Sequence, residues 1–208
     1  MIKVQTLASQ PDRAGRHLIR FDDGNVMRLY RQTIEDFGLY PGIELSDADM
    51  ERLQAAAGAM SAKMRAVRIV AASNVSKGDL ERRLINKGEN PEQAKNAVQW
   101  MSDLQLLDDR ATAEQIVRKC IYKGYGLPRA KQALYEKRIP KEYWDEVLAD
   151  YPDQLDSIVK FLENRLVKNH DEKTLKRTID ALLRRGHSYT DIRRGLEQLS
   201  LEEDFREE

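Results

Sequence analysis

The sequence predicts a mainly α-helical protein of three tandem three-helix repeats, preceded by a small N-terminal segment that contains a β-hairpin. Helix-capping signals recur from about residue 46 onward. A helix stop followed by an apolar helix recurs three times at nearly equal spacing. Because each unit is too small to bury its apolar faces alone, we expect the repeats to stack into an elongated, curved array.

The N-terminal segment is predicted to hold a small twisted sheet of two or three strands. Asp23-Gly24 predicts a two-residue turn, because both central residues of a type I′ turn need positive φ. This turn joins two predicted strands, residues 16–21 and 26–31, in which apolar and basic residues alternate imperfectly. Residues 2–7 are also predicted to be extended.

Local signals divide the rest of the chain into helices. Ser46 and Asp49 form a capping signature that opens a long helix. Ser76 caps the next helix, and Asn90 followed by Pro91 opens a third, since proline is tolerated in the first turn. The same order of signals returns twice more, with starts or turns at Asp108 or Asp109, residues 124–126, Pro140 and Ser188.

Three helix stops, at Gly88, Arg138 and Gly186, set the register of the repeats. Their separations are 138 − 88 = 50 and 186 − 138 = 48 residues. The apolar positions of the third helices then align without gaps: Ala94, Trp144 and Ile192 follow by six residues, and Val98, Leu148 and Leu196 by ten. The alignment predicts the following divisions: N-terminal segment 1–58, repeats 59–108, 109–152 and 153–201, and an acidic tail 202–208.

Composition excludes several classes of protein. Basic and acidic residues number 35 each, so the net charge is zero and an affinity resting on many phosphate contacts is not expected. The single cysteine, Cys120, excludes an internal disulfide and a cysteine-based zinc site, and its phase predicts burial. His17, His170 and His187 show no metal-ligand spacing, and His187 is expected to be a surface or cap residue. We expect a cytoplasmic monomer with no membrane span, metal or cofactor.

No catalytic motif is present either. Gly124-Tyr125-Gly126 lacks the lysine and hydroxyl residue of a phosphate-binding loop, so a helix–helix turn is the favoured interpretation. Asp108 and Asp109 are interpreted as a helix cap rather than a metal site. We therefore predict that the protein is not an enzyme.

Several of these motifs resemble those of the RecX family, over about residues 60–200. Similar stretches are Ser76 to Gly88, Leu106-Leu107-Asp108-Asp109 with Ala113, residues 124–139, and residues 182–188. The chain departs from the family pattern at Leu127, Arg138 and His187, where the family usually has proline, glycine and an aromatic residue.

The resemblance implies a non-enzymatic regulator of the bacterial recombinase RecA. Such a protein would lie along the RecA filament on single-stranded DNA and restrain its ATP hydrolysis, coprotease activity and strand exchange. It would act in DNA recombination, DNA repair and the SOS response, and some members of the family bind DNA directly.

Basic residues on the helices are the candidate binding face for such a partner. A solvated surface is the ordinary interpretation of such charges. Their recurrence at equivalent positions of stacked units instead favours a line of cations for an extended polyanion or an acidic filament groove. The candidates are Arg82, Arg83, Lys87, Arg118, Lys119, Lys123, Arg129, Lys131, Lys176, Arg177, Arg184 and Arg185.

Two alternatives stay open. A stand-alone DNA-binding regulator would use the three-helix units as helix-turn-helix modules on single- or double-stranded DNA. A helical scaffold for an unrelated partner is the other alternative. Neutral charge and the lack of a recognition helix rich in basic and amide residues weigh against the first.

Overall fold

A computed structural model of the 208-residue chain describes residues 1–166 and 171–207, with side chains up to residue 199. The chain forms two compact units, Met1–Leu107 and Asp108–Glu208. His170 and the side chains of the acidic tail lie outside the described residues.

The first unit begins with a four-stranded antiparallel sheet of order β3-β2-β1-β4. A short helix lies between the third and fourth strands along the chain. The elements are β1 (Ile2–Leu7), β2 (Arg16–Phe21), β3 (Val26–Tyr30), α1 (Arg31–Asp36) and β4 (Glu44–Leu45). The prediction of two or three strands was therefore wrong by one strand. The sequence pattern missed β4 because a two-residue strand has no periodicity to detect.

The predicted hairpin between β2 and β3 is confirmed, but its turn type is not. Gly24 has φ 86°, whereas Asp23 does not have positive φ. The N–H of Gly24 donates to the carbonyl oxygen of Phe21, and the N–H of Phe21 donates to Asn25. A single left-handed glycine after a turn without positive φ is typical of a hairpin with a glycine bulge. Asp-Gly suits this hairpin as well as it suits the predicted type I′ turn.

The helix α2 (Asp47–Ala72) carries both the N-terminal sheet and the first repeat. Ser46 and Asp49 form the predicted capping box at its start. Its early residues Met50 and Leu53 are buried against the sheet, in one core with Ile19 and Phe21. Its later residues, including Ala62 and Ala66, belong to a second core with α3 (Lys77–Asn86) and α4 (Pro91–Asp103).

The second unit contains the helices of the second and third repeats. They are α5 (Asp109–Tyr122), α6 (Leu127–Glu136), α7 (Trp144–Leu148), α8 (Leu155–Leu166), α9 (Glu172–Arg184) and α10 (Tyr189–Glu207). The third helix of the second repeat has only five α-helical residues, and a 3-10 turn at Lys141–Tyr143 precedes it. Trp144 is half-buried there, and its indole N–H donates to the carbonyl oxygen of Ile139.

The stops that set the repeat register share one backbone conformation. Gly88, Arg138 and Gly186 have φ of 90°, 51° and 87°. In each case the next residue donates its N–H to the carbonyl oxygen five positions back: Glu89 to Leu84, Ile139 to Leu134, and His187 to Leu182. This is the same left-handed helix-ending motif three times over, so the repeat predicted from the sequence extends to individual hydrogen bonds.

Candidate partner-binding surface

The basic residues of α3 divide between a structural role and an exposed one. Arg82 and Arg83 both form ion pairs with Asp79, and Arg83 Nη2 lies 2.9 Å from Asp79 Oδ2. Asp79 is fully buried, so these two guanidinium groups offset the cost of burying its charge. Lys87 is exposed and has no ion pair among the described side chains.

Two of the predicted cations of the second repeat are also paired. Arg118 Nη1 lies 3.5 Å from Glu114 Oε2, on an exposed face of α5. Arg129 Nη1 donates to Glu136 Oε1 at 3.1 Å, and this hydrogen bond lowers the pKa of the Glu136 carboxyl. The remaining cations of this repeat, Lys119, Lys123 and Lys131, are exposed.

The cations of α9 also differ in their roles. Lys176, Arg177 and Arg184 are exposed. The guanidinium of Arg185 is half-buried, 4.6 Å from the ring centroid of Phe161 and 5.5 Å from that of Tyr125. Its Nη2 also donates to the carbonyl oxygen of Lys123 at 3.3 Å, so Arg185 joins the third repeat to the second.

The structure places the Gly124-Tyr125-Gly126 turn at this junction between repeats. The N–H of Gly126 donates to the carbonyl oxygen of Arg185 at 2.9 Å. A Cβ at Gly126 would overlap the carbonyl of Gly186, so only glycine fits this approach. The Tyr151 hydroxyl donates to the carbonyl oxygen of Tyr125 at 2.6 Å. The turn therefore serves packing, as its sequence predicted.

His187 was predicted to be a surface or cap residue. Its N–H does take part in the helix-ending motif, but its side chain lies inside the same junction and not at the surface. Its side chain is buried, with 6% exposed, and Nε2 lies 3.0 Å from the carbonyl oxygen of Gly124. Burial lowers the pKa of its imidazole. Cys120 is buried as predicted, and burial raises the pKa of its thiol.

Seven of the twelve candidate residues share two properties. They are exposed, and no described carboxylate pairs with them. They are Lys87, Lys119, Lys123, Lys131, Lys176, Arg177 and Arg184. We refer to these seven residues below as the exposed cations.

A further group of cations in the first unit was not among the residues predicted from the sequence. Arg16, Arg65 and Arg68 line one open pocket of about 450 Å³ together with Arg83 and Lys87. The spacing of Arg65 and Arg68 places them on one face of α2, which was a usable signal. Arg16 lies 49 residues from Arg65 in the chain, and no local pattern connects them.

The described side chains also show no candidate metal centre. Residues 1–166 and 171–199 contain no group of three or more His, Cys, Asp or Glu side chains able to hold a metal ion. Among the described helices, none is long and apolar enough to span a bilayer.

Comparison with known proteins points to one family. Residues 108–148 match the model of the second three-helix domain of RecX. A regulatory protein RecX of Lactococcus lactis is 27% identical over 197 residues, covering 90% of this chain and 73% of that protein. The regulatory protein RecX of Vibrio campbellii is 26% identical over 136 residues, covering 64% of this chain and 88% of that protein.

Solved structures agree with this fold. A crystal structure of a regulatory protein RecX superimposes with a TM-score of 0.59 at 19% identity, over 92% of this chain and 97% of the other. RecX from Lactobacillus salivarius gives a TM-score of 0.57 at 22% identity, over 70% of this chain and 99% of the other. At these identities the likeness concerns the fold, including the tandem three-helix repeats.

Proposed function

Because this chain belongs to the RecX family, we propose that it is a non-enzymatic regulator of the bacterial RecA recombinase. It binds along the filament of RecA on single-stranded DNA and mostly inhibits ATP hydrolysis, coprotease activity and strand exchange. It acts in the cytoplasm as a monomer, within DNA recombination, DNA repair and the SOS response.

The observation that supports this proposal is the recurrence of exposed cations on the second helix of successive repeats. Lys87 is the C-cap residue that directly follows α3, Lys131 lies on α6, and Lys176 and Arg177 lie on α9. None of the four forms an ion pair with a described carboxylate. Charges held apart from internal partners keep their full attraction for an anionic surface.

Inhibition follows if this surface binds one state of the filament better than another. A ligand shifts an equilibrium only through its differential affinity for the two states. A protein bound along the filament also blocks the path of the second DNA molecule in strand exchange, and that of the repressor that is the substrate of the coprotease activity. Both effects act without any chemical step on this chain.

A titration of RecA tests the proposal. DNA-dependent ATP hydrolysis and strand exchange are measured with this protein added below one molecule per RecA subunit. Inhibition at that ratio is expected, since a filament regulator acts on several subunits at once. Inhibition that required one molecule of this protein per RecA subunit would contradict this mode of filament binding. The absence of inhibition at any ratio would contradict it too.

Charge variants then test the surface. The triple variant Lys131→Gln, Lys176→Gln, Arg177→Gln removes three exposed cations of the second unit and is expected to weaken inhibition at least tenfold. The control is Lys141→Gln, Lys160→Gln, Arg193→Gln, which removes the same charge from exposed positions outside α6 and α9; of these three, Arg193 is paired with Glu197. Equal loss in both variants would show that only total charge matters.

A stand-alone DNA-binding role gives a different result in the same experiments. RecA activity would stay unchanged while the protein bound naked DNA tightly at the same salt concentration. Clear sequence preference would then favour the helix-turn-helix alternative, because phosphate contacts alone carry no sequence information.

A further inference from the structure

The first unit contains a pocket whose charged lining is entirely cationic. It lies between the N-terminal sheet and the first repeat, and its volume is about 450 Å³. Five of its nine lining residues are basic and none is acidic: Arg16, Arg65, Arg68, Arg83 and Lys87. The other four are small or aliphatic, so no aromatic ring is available for base stacking.

Arg16, Arg65 and Arg83 are each held by a carboxylate outside the pocket lining, and the partner of Arg83 is Asp79. Arg65 Nε lies 2.6 Å from Glu89 Oε1, and that carboxylate is 8% exposed. Arg16 binds Asp12 through both Nε and Nη2, and these hydrogen bonds lower the pKa of Asp12 to about 2. Each guanidinium has five N–H donors, so these pairs leave donors for a ligand while limiting side-chain motion.

The other two basic residues of the pocket, Arg68 and Lys87, are not paired with a described carboxylate. Arg68 Nη2 donates to the Tyr30 hydroxyl at 3.1 Å, and Nη1 lies 3.5 Å from the carbonyl oxygen of Ala14. Lys87 has no partner among the described side chains. The neutral partners hold the Arg68 guanidinium in place without cancelling its charge. The pocket thus keeps two unneutralised positive charges beside three that are only partly neutralised.

We infer that this pocket binds a phosphodiester group of a nucleic-acid backbone. Phosphate oxygens suit a cluster of guanidinium donors, because they accept several charge-assisted hydrogen bonds at once. A nucleic-acid strand supplies such a group at every residue, whereas an acidic protein surface supplies carboxylates at scattered points. The absence of aromatic lining favours backbone contact without reading of sequence.

The pocket is lined only by residues of the first unit, whereas six of the seven exposed cations belong to the second unit. Lys87, which directly follows α3, belongs to both sets. The inference does not depend on regulation of RecA, because the pocket is tested with nucleic acid alone.

Binding of a fluorescein-labelled oligo-dT, measured by fluorescence anisotropy over a range of salt concentrations, tests the site. The double variant Arg68→Gln, Lys87→Gln is expected to bind about tenfold more weakly. The slope of log affinity against log salt should fall by about 1.4, since each lost contact with a single strand is worth about 0.7. Duplex DNA of the same sequence is expected to respond in the same direction.

Two further variants keep the test independent of folding. The single variant Lys87→Gln removes a side chain with no described partner, so its stability to unfolding should match that of the wild type. Its change in the salt slope should be about half of that of the double variant. The matched control Arg28→Gln, Lys95→Gln removes two exposed cations of the same unit outside the pocket, and should leave affinity nearly unchanged.

Four outcomes would overturn the inference. Unchanged affinity and slope in the double variant, or an equal loss in the control, would show that the pocket does not contact DNA. If inorganic phosphate bound in the pocket while the oligonucleotide affinity did not depend on the pocket residues, the pocket would be a site for free anions instead. Normal oligonucleotide binding with impaired RecA inhibition would assign the pocket to an acidic protein surface.

Discussion

The backbone N–H of Gly126 donates to the carbonyl oxygen of Arg185 across 2.9 Å, although 59 residues separate the two in the chain. This hydrogen bond lies where the first turn of the second repeat meets the helix end of the third. Gly186 approaches the start of α6, and a Cβ on it would lie 2.7 Å from the backbone nitrogen of Arg129. Two glycines thus let two repeats pack backbone to backbone.

Gly126→Ala is expected to destabilise the protein by about 3 kcal/mol, measured by urea unfolding. Gly126 has φ −70°, which suits any residue, so the whole cost is the overlap of the new Cβ with the Gly186 carbonyl. Gly88→Ala is the contrasting control. Its Cβ would meet open space, and its cost of about 1 kcal/mol comes from φ of 90° alone. Equal costs for the two variants would contradict this account.

The repeat register was predictable because its signals are local. A left-handed residue at Gly88 or Gly186 ends a helix through bonds to residues within five positions, so the sequence near it carries the information. Cap residues such as Ser76 and Asn90 act over two or three positions and were equally visible. The same holds for the hairpin at Gly24, although Asp-Gly suits more than one turn type.

The junction and the pocket were not predictable, since both depend on packing between distant segments. The burial of His187 requires the Gly124 turn, 63 residues earlier, to lie against it. The basic pocket requires Arg16 on β2 to face α2 and α3. Periodicity within each helix cannot report which charged faces the fold brings together.

Arg138→Gly is expected to stabilise the protein by about 0.5–1 kcal/mol. Arg138 has φ 51°, a left-handed conformation that costs a residue with a Cβ about 1 kcal/mol, and glycine avoids this cost at some loss of chain entropy. Urea unfolding of the two proteins measures the difference. The neighbouring Lys137→Gly is the control; Lys137 has φ −89°, so glycine there should destabilise. Destabilisation by both variants would show that contacts of the Arg138 side chain outweigh its backbone strain.

Stability is expected to fall as the pH drops below about 6.5, because of His187. Burial lowers the pKa of this imidazole in the folded protein, with a smaller lowering by Arg185, while Asp191 and the Gly124 carbonyl act in the opposite direction. The unfolded chain therefore binds the proton first as the pH falls. The stabilisation is fully present above the unfolded pKa and is lost progressively towards the lower folded pKa.

Urea unfolding between about pH 7.5 and 5.5 measures this effect, with His187→Asn as the comparison. An asparagine amide can still donate to the Gly124 carbonyl but does not titrate in this range. The pH dependence should therefore shrink in the variant. An unchanged slope would assign the acid sensitivity to other groups; Asp12 does not contribute, since its pKa of about 2 lies far below this window.

Asp79→Asn is expected to destabilise the first unit by about 2 kcal/mol. The side chain is fully buried, and its carboxylate lies between the guanidinium groups of Arg82 and Arg83, so removing its charge leaves both cations without their anion. Because the two arginine side chains are 38% and 32% exposed, water offsets part of this loss and keeps the cost below that of a fully buried pair.

Glu114→Gln provides the surface counterpart. Glu114 pairs with Arg110 and Arg118, and all three side chains are at least 41% exposed. Loss of the Glu114 charge should therefore change the free energy of unfolding by less than about 0.5 kcal/mol. Urea unfolding of both variants compares the two sites directly. A cost at Asp79 as small as that at Glu114 would show that Arg82 and Arg83 are held for a partner rather than for the buried carboxylate.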